Sequence, residues 1–513
     1  MSDVTFAAPD LTTFTGLDEL GLEVVGQRLQ PDPAVLAARV VEPDEWCHRC
    51  GCLGCPRDTV TRRLAHEPFG WRPTTLLVRV RRYRCTGCGH VWRQDMSKAA
   101  EPRARLSRRA VRWALEAIVC QHLTVARLAE GLGVSWHTAN AAVLAEGQRV
   151  LINDPGRFDG VTVIGVDEHA WRHTRRGDTY VTVIIDLTPA REHTGPARLL
   201  GMVEGRSKQV FKSWLAARPE SWRANVGVVA MDGFTGFKTA TAEELPDAVA
   251  VMDPFHVVRL AADALDECCR RVQQDTRGHR GRTSDPLYAA RRTLLTGADL
   301  LTDRQTHRLQ VLFTADTHIE VEATWGIYQR IIAAYRDPDR TRGRHAMQTV
   351  IDAISSGVPA ALTEIRRLGR TLKRRAADVL AYFDRPGTSN GPTEAINGRL
   401  EHLRGSALGF RNLTHYIARA LLETGGFQPQ LHRSLRRARN ARRRGRTPRR
   451  RPLAQRHHPR AHHHRTSADG RRRTRRPPGI RQSRDPRTRR RTYAAPRPAQ
   501  DPARRTPRPC RAT

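Results

Sequence analysis

The 513-residue chain has room for two to four domains at roughly 150 residues each, and its net charge of +36 asks for a polyanionic partner. The excess is lopsided: from Leu431 to Thr513 there are 30 Arg, no Lys and three acids, worth +27, which leaves +9 for the preceding 430 residues. No apolar run approaches the ~18 residues of a membrane span. The opening "MSDVTFAAPDLTTF" lacks the basic-then-apolar pattern of an export signal, so a cytoplasmic protein is expected.

Residues 1–45 hold a short amphipathic stretch, "LDELGLEVVGQRL", and a strand-like "LAARVVE". Residues 46–98 carry two matched cysteine pairs, Cys47-x-x-Cys50 and, after 34 residues, Cys85-x-x-Cys88. Without an export signal such pairs point to metal rather than disulfides. Each knuckle supplies two thiolates to a tetrahedral Zn²⁺, the pattern of a zinc ribbon. A second pair, Cys52 and Cys55, overlaps the first; Gly51 and Gly89 give Cys50 and Cys88 matching turns and favour Cys47 and Cys50. The alternating "PTTLLVRVRRYRC" leads into the second knuckle, and its Arg79, Arg81, Arg82 and Arg84 are expected to line a face suited to phosphates.

Residues 103–152 are rich in Ala and Leu and helical in pattern. Leu123 to Ala145 has a helix-turn-helix layout: Val125, Leu128 and Ala129 on a first helix, Gly131 to Val134 as the turn, and Ser135 as the cap of a second. That second helix would offer Trp136, His137 and Asn140 to a DNA groove.

From 160 to 258 the pattern changes to strands: "VTVIGVDEHAW", "TYVTVIIDL", "RLLGMVEG", "NVGVVAMDG" and "AVAVMDPFHVV", with a helix, "SKQVFKSWLAAR", between the third and fourth. The first ends on Asp167 and Glu168, and an ionised carboxylate closing a buried strand needs water, a cation or a metal. The fourth ends on Asp232. Three strands, a helix and a strand is the order of ribonuclease-H-like folds, where the first and fourth strands are neighbours and their acids end side by side. Two such carboxylates repel unless a divalent cation lies between them. Residues 259–388 read as helical throughout, and 389–430 as two further helices. Glu394, early in the first of these, is the candidate third acid of a two-metal site, with Asn390 and Asn397 flanking it. Asp253 is either a further ligand or a supporting residue, with His256 and Asn390. The expected fold is therefore an α/β catalytic core, ribonuclease-H-like with a mixed sheet and an all-α insertion, preceded by a zinc ribbon and a helix-turn-helix.

The motifs "CHRCG…RVRRYRCTGCG", "IGVDEHAW", "VMDPFHVVRLA" and "TSNGPTEAINGRLEHLRGSALGFRN" together resemble the ISL-three family of bacterial insertion-sequence transposases, over roughly residues 45–430. The resemblance implies an Asp-Asp-Glu enzyme with Asp167, Asp232 and Glu394 as its triad on Mg²⁺ or Mn²⁺. It also implies that the ribbon and helix-turn-helix bind the terminal inverted repeats, and that the protein acts on element ends and target DNA as a homo-oligomer. At the second aspartate, "MDGFTGFKTA" departs from the family's aromatic-rich pattern. The alternative is an inactive or domesticated copy serving as a DNA-binding protein. Residues 436–513 are Arg, Pro, His and Thr with almost no large apolar side chains, and are expected to be disordered. With no Lys, they read like a GC-rich gene translated out of frame.

Overall fold

Two five-stranded sheets organise the described residues. The structure, a computed structural model, describes residues 8–28, 33–175 and 177–431; the expectations placed on 436–513 fall outside the described residues.

The first sheet contains β1 (Leu22–Arg28), β2 (Ala34–Val40), β3 (Gly54–Phe69), β4 (Arg72–Cys85) and the short β5 (Val91–Arg93), in the order β1-β2-β4-β3 with β5 on the end of β4. β3 and β4 form a long hairpin that turns at Gly70-Trp71, where Gly70 takes φ +62°. Leu36, Leu64, Leu76, Val78 and Val80 bury one face together with Leu17, Leu20 and Leu22. Half of the amphipathic stretch near the N-terminus is thus a strand, and residues 22–40 complete the sheet that carries the cysteine knuckles.

Three helices follow: α1 (Arg108–Gln121), α2 (Val125–Leu132) and α3 (Trp136–Gly147). Each starts on a hydroxyl cap: Ser107, Thr124 and Ser135 accept from the N–H groups of Ala110, Arg127 and Thr138. Gly133 at φ +63° ends α2 and sets the turn into α3. Leu115, Ile118, Leu128 and Val143 of these helices belong to the same apolar cluster as Val163, Val183, Leu400 and Leu421 further along the chain.

The second sheet holds β6 (Val163–Thr174), β7 (Gly177–Asp186), β8 (Arg198–Glu204), β9 (Val228–Met231) and β10 (Val249–Met252), in the order β10-β9-β6-β7-β8. β6 to β8 are antiparallel; β6, β9 and β10 run parallel. Parallel neighbours need crossovers. α4 (Lys208–Ala216) serves β8 to β9, and α5 (Thr235–Glu244), a helix the sequence reading left out, serves β9 to β10. The alternating side chains divide: Ile164, Val166, Val229 and Met231 pack with Phe211 and Phe237 on one face, while Val163, Val183 and Ala230 pack with Leu400 and Tyr416 on the other.

The fifth strand is shorter than "AVAVMDPFHVV" suggested. It stops at Met252, and Pro254 opens α6 (Pro254–Arg277), because a residue without an N–H fits the first turn of a helix but not a sheet ladder. His256, Val257 and Val258 are helical. α6 begins an all-helical block continued by α7 (Pro286–Leu294), α8 (Asp303–Phe313), α9 (Ile319–Arg336), α10 (Arg340–Ser355), α11 (Thr363–Arg374) and α12 (Ala376–Asp384). The block has a core of its own around Leu265, Ile331, Val350 and Leu372. The chain then returns to the second sheet as α13 (Gly391–Ser406) and α14 (Leu413–Thr424).

Candidate active site and metal centre

The strand register aligns three acids. Val166 pairs with Met231, and Met231 with Met252. The residues that follow are Asp167, still within β6, and Asp232 and Asp253, each one past the end of its strand, with strands about 4.8 Å apart. The three acids have different surroundings.

Asp167 is half-buried. One oxygen accepts the N–H of Glu168 at 2.8 Å and the other accepts Asn397 Nδ2 at 2.9 Å. Burial pushes its carboxyl up to about 7, and the like charges of Glu394 and Asp232 add to the shift. Glu168 is also raised by burial, against the pull of Arg206 at 3.5 Å. Asp232 accepts the N–H of Phe234 at 2.9 Å, which shapes the turn after β9. A Cβ on the next residue, Gly233, would stand 3.1 Å from His256 Nε2, so His256 rests on this turn. The Gly233 carbonyl accepts Arg375 at 3.0 Å, and Arg375 is itself paired with Asp378 in the interior. The helical block thus touches the loop of the second acid.

Asp253 is only 6% exposed and faces elsewhere. Its carboxylate accepts the N–H of Asn390 at 2.8 Å and Ser389 Oγ at 3.2 Å, the residues that lead into α13. Glu394 lies in the first turn of that helix and is exposed. α13 sits directly on β6 because residue 165 is glycine: a Cβ there would come within 2.6 Å of Thr393 Oγ1 and 3.0 Å of Asn390 Oδ1. Those two oxygens and Asn397 Oδ1 are buried without a hydrogen-bond partner among the described residues. Sequence reasoning missed Gly165, Ser389, Thr393 and Arg375. A glycine inside a β-branched strand was a readable sign of a close backbone approach.

The "HAW" that follows the acids holds the sheet to α14. His169 Nε2 meets the Tyr416 hydroxyl at 2.7 Å, Trp171 stacks on the same ring, and burial takes the imidazole down to about 4.

In the first sheet, Cys47, Cys50, Cys85 and Cys88 bring their sulfurs within 4.8 Å of one another. Among the described residues no other set of His, Cys, Asp and Glu closes so tightly; Asp167, Asp232 and Glu394 do not. The N–H groups of Gly87 and Cys88 both donate to Cys85 Sγ at 3.3 Å, and with Cys50 they draw that thiol down to about 6. Gly51 and Gly89 take φ +72° and +70°. Cys52 and Cys55 stay outside the cluster. The four sulfurs form a set able to hold a tetrahedral ion.

Two expectations about DNA-facing residues are corrected. A regular strand alternates its side chains, so Arg79 and Arg81 lie on one side of β4 and Arg82 and Arg84 on the other, not on one face. Arg82 is also paired with Asp58. Asn140 is 5% exposed, because it falls on the side of α3 that packs inward, and cannot read a groove; Trp136 and His137, one turn earlier, are exposed.

A family model described as a transposase, of the ISL-three type, matches residues 164–420, half of the chain. The chain belongs to this family. The match runs from β6 to α14 and so includes Asp167, Asp232, Asp253 and Glu394. The transposase for insertion sequence element IS1557 of Mycobacterium tuberculosis is 26% identical over 340 residues, 61% of this chain and 71% of that protein. The transposase for insertion sequence element IS1001 of Bordetella parapertussis is 24% identical over 383 residues, 72% of this chain and 86% of that protein. No helix among the described residues is long and apolar enough to cross a membrane.

Proposed function

We propose that this protein binds the terminal inverted repeats of its insertion sequence and catalyses metal-dependent cleavage and strand transfer at them. The observation that carries the reading is the register that sets Asp167 beside Asp232, with α13 presenting Glu394 to the same sheet end. A sheet in the order β10-β9-β6-β7-β8, with β7 alone running against the other four strands, supports a ribonuclease-H-like core. Asp167, Asp232 and Glu394 would hold Mg²⁺ or Mn²⁺, and the residues fit: a carboxylate raised by burial, and further by two more acids, is the imbalance a divalent ion relieves. When bound, such ions activate the attacking hydroxyl and stabilise the leaving oxygen of a phosphodiester.

The chain's own residues set that site up. Asn397 fixes the rotamer of Asp167, and the Phe234 N–H fixes that of Asp232. We assign Asp253 to positioning: it holds the start of α13 and with it the reach of Glu394. His256, against Gly233, and Asn390 support the same turns. Cys47, Cys50, Cys85 and Cys88 would hold one Zn²⁺ that fixes the knuckle end of the first sheet. The turn and helix at Ser135–Gly147, with Trp136 and His137, are assigned to DNA, and so are the exposed Arg79 and Arg81, which share one side of β4.

The test is a cleavage assay on duplex DNA bearing the element's own ends, with Mg²⁺, comparing the wild type with Asp167→Ala. Cleavage by the wild type and not by the variant is expected. Cleavage by both overturns the assignment.

A further inference from the structure

Leu408 follows the end of α13 with φ +55° and a side chain 96% exposed. Its N–H donates to the Gly405 carbonyl at 3.1 Å and the N–H of Gly409 donates to the Arg404 carbonyl at 2.9 Å, the two bonds of a Schellman ending. Glycine is the residue such a position favours, since a Cβ is strained there. This chain instead places a branched apolar side chain at the left-handed position and aims it into solvent. Among the described residues the side chain buries against nothing.

Leu408 stands on the wall of a cleft of about 880 Å³. Trp136 and His137 from the start of α3 line it too, Arg411 and His415 add donors, and Arg404 is held there by Glu401. Trp136 is 46% exposed, and Arg411 and His415 are exposed. An apolar wedge, an open aromatic ring and a guanidinium in one cleft match the parts that unstack a base and receive it: apolar side chains enter base steps, rings stack on bases, and arginine meets phosphate.

We infer that Leu408 is a DNA wedge, inserted between two bases of the element end, with one displaced base lodged in the cleft against Trp136. The inference rests on the end-binding reading above and adds a distortion to it. Glu394 lies 12 residues before Ser406, the last residue of α13, roughly 18 Å at ~1.5 Å per residue, and Leu408 is two residues past that end. Laid along a duplex axis, that reach spans about five to six base pairs at ~3.4 Å each, which sets the expected displaced base near the sixth position from the cut.

The experiment compares Leu408→Gly with the wild type on duplexes of the terminal repeat, either fully paired or with a single abasic site at each of the positions three to nine. On paired DNA the variant should bind and cut roughly tenfold or more below the wild type, since the wedge no longer offsets the cost of unstacking the step. An abasic site near position six should restore it to within about twofold, because the step is already open. Its thermal midpoint should equal or exceed that of the wild type, which separates a wedge from a structural residue. Equal behaviour of the two proteins on paired DNA, or the same deficit on every duplex, overturns the wedge. If the wild type does not prefer the repeat over a scrambled duplex, the end-binding reading itself fails and the wedge with it.

Discussion

Gly165→Ala tests whether α13 is seated on β6 as tightly as the geometry requires. The added methyl would lie 2.6 Å from Thr393 Oγ1, 3.0 Å from Asn390 Oδ1 and 3.0 Å from Leu187 Cδ1. β6 is bonded on both sides, to β7 and β9, so the strand cannot withdraw and the helix must yield. Restoring ordinary contact needs a shift of roughly 0.8 Å, with overpacking of this kind costing about 1–3 kcal/mol. The low end applies if Thr393 turns aside, since its hydroxyl has no partner to lose among the described residues. The high end applies if α13 moves, and then Glu394 moves too, where a displacement near ~1 Å lowers a rate by about 100-fold. Urea unfolding of the full chain and the end-cleavage rate with Mg²⁺ report the two quantities separately. Thr393→Ala in the Gly165→Ala background removes the clash, and the pair should show a coupling of about 1–2 kcal/mol. A Gly165→Ala protein with wild-type stability and rate, or one that Thr393→Ala does not rescue at all, refutes the reasoning.

In metal-free protein, Asp167→Asn should be as stable as the wild type below pH ~4, where the acid is protonated folded and unfolded alike. The wild type then loses ground as pH rises towards the raised value of about 7, leaving the variant ahead by a few kcal/mol above it; parallel pH curves of the urea midpoint would count against this. Asn397 Oδ1 has no partner among the described residues, so its amide can turn to accept the new NH2, and Mg²⁺ should stabilise only the wild type. Asp253→Ala leaves the Asn390 N–H without its acceptor and should cost about 1.5–3 kcal/mol, with a partial loss of cleavage, whereas Asp253→Asn, which keeps an acceptor, should lose less of both. Zinc analysis of the purified protein should give one ion per chain, lost in Cys47→Ser and kept in Cys52→Ser; the reverse pattern would exchange the ligand set. Truncation after Leu435 should weaken salt-sensitive nonspecific DNA binding and spare cleavage at the ends, and loss of that cleavage would make the Arg-rich segment a working arm.

Where one feature sufficed, the sequence was legible. The five strands of the second sheet announce themselves through β-branched runs, and the pairing of the first with the fourth follows from their order. The cysteine quartet could be read because two knuckles of equal spacing carry matching glycines. The features that were missed need a contact between segments far apart in the chain. The role of Asp253 depends on meeting Asn390 across 137 residues, and that of Gly165 on meeting Thr393. α5 was passed over because "TGFKTATAEE" has too weak an apolar stripe to signal a helix, although two parallel strands required one. Asn140 was misjudged for a related reason. Ser135 gave the start of α3 correctly, but which side of the helix faces inward is set by α1 and α14, and a short Ala-rich helix does not declare it. For Arg79 to Arg84 the strand period alone would have divided the four into two pairs.

The placement of Asp253 bears on why so long a block can sit inside the site. The helices from α6 to α12 leave the second sheet immediately after Asp253 and return at Asn390, and the two ends are joined by a 2.8 Å hydrogen bond. Closing a longer loop costs little more than closing a shorter one, since each doubling adds only about 0.6 kcal/mol. The block also buries its own core and does not draw on that of the sheet. What the site requires of it is therefore local: an acid where it departs, a donor where it returns, and Arg375 reaching the carbonyl of Gly233 beside Asp232. Changes deep in the block around Ile331 or Val350 should act on its stability, while changes at these contacts should act on the geometry of the three carboxylates. The line of three acids divides in the same way. Asp232 keeps one oxygen and Asp167 a second lone pair on each of its bonded oxygens that a cation would use, whereas Asp253 holds the helix that would bring the third carboxylate to them.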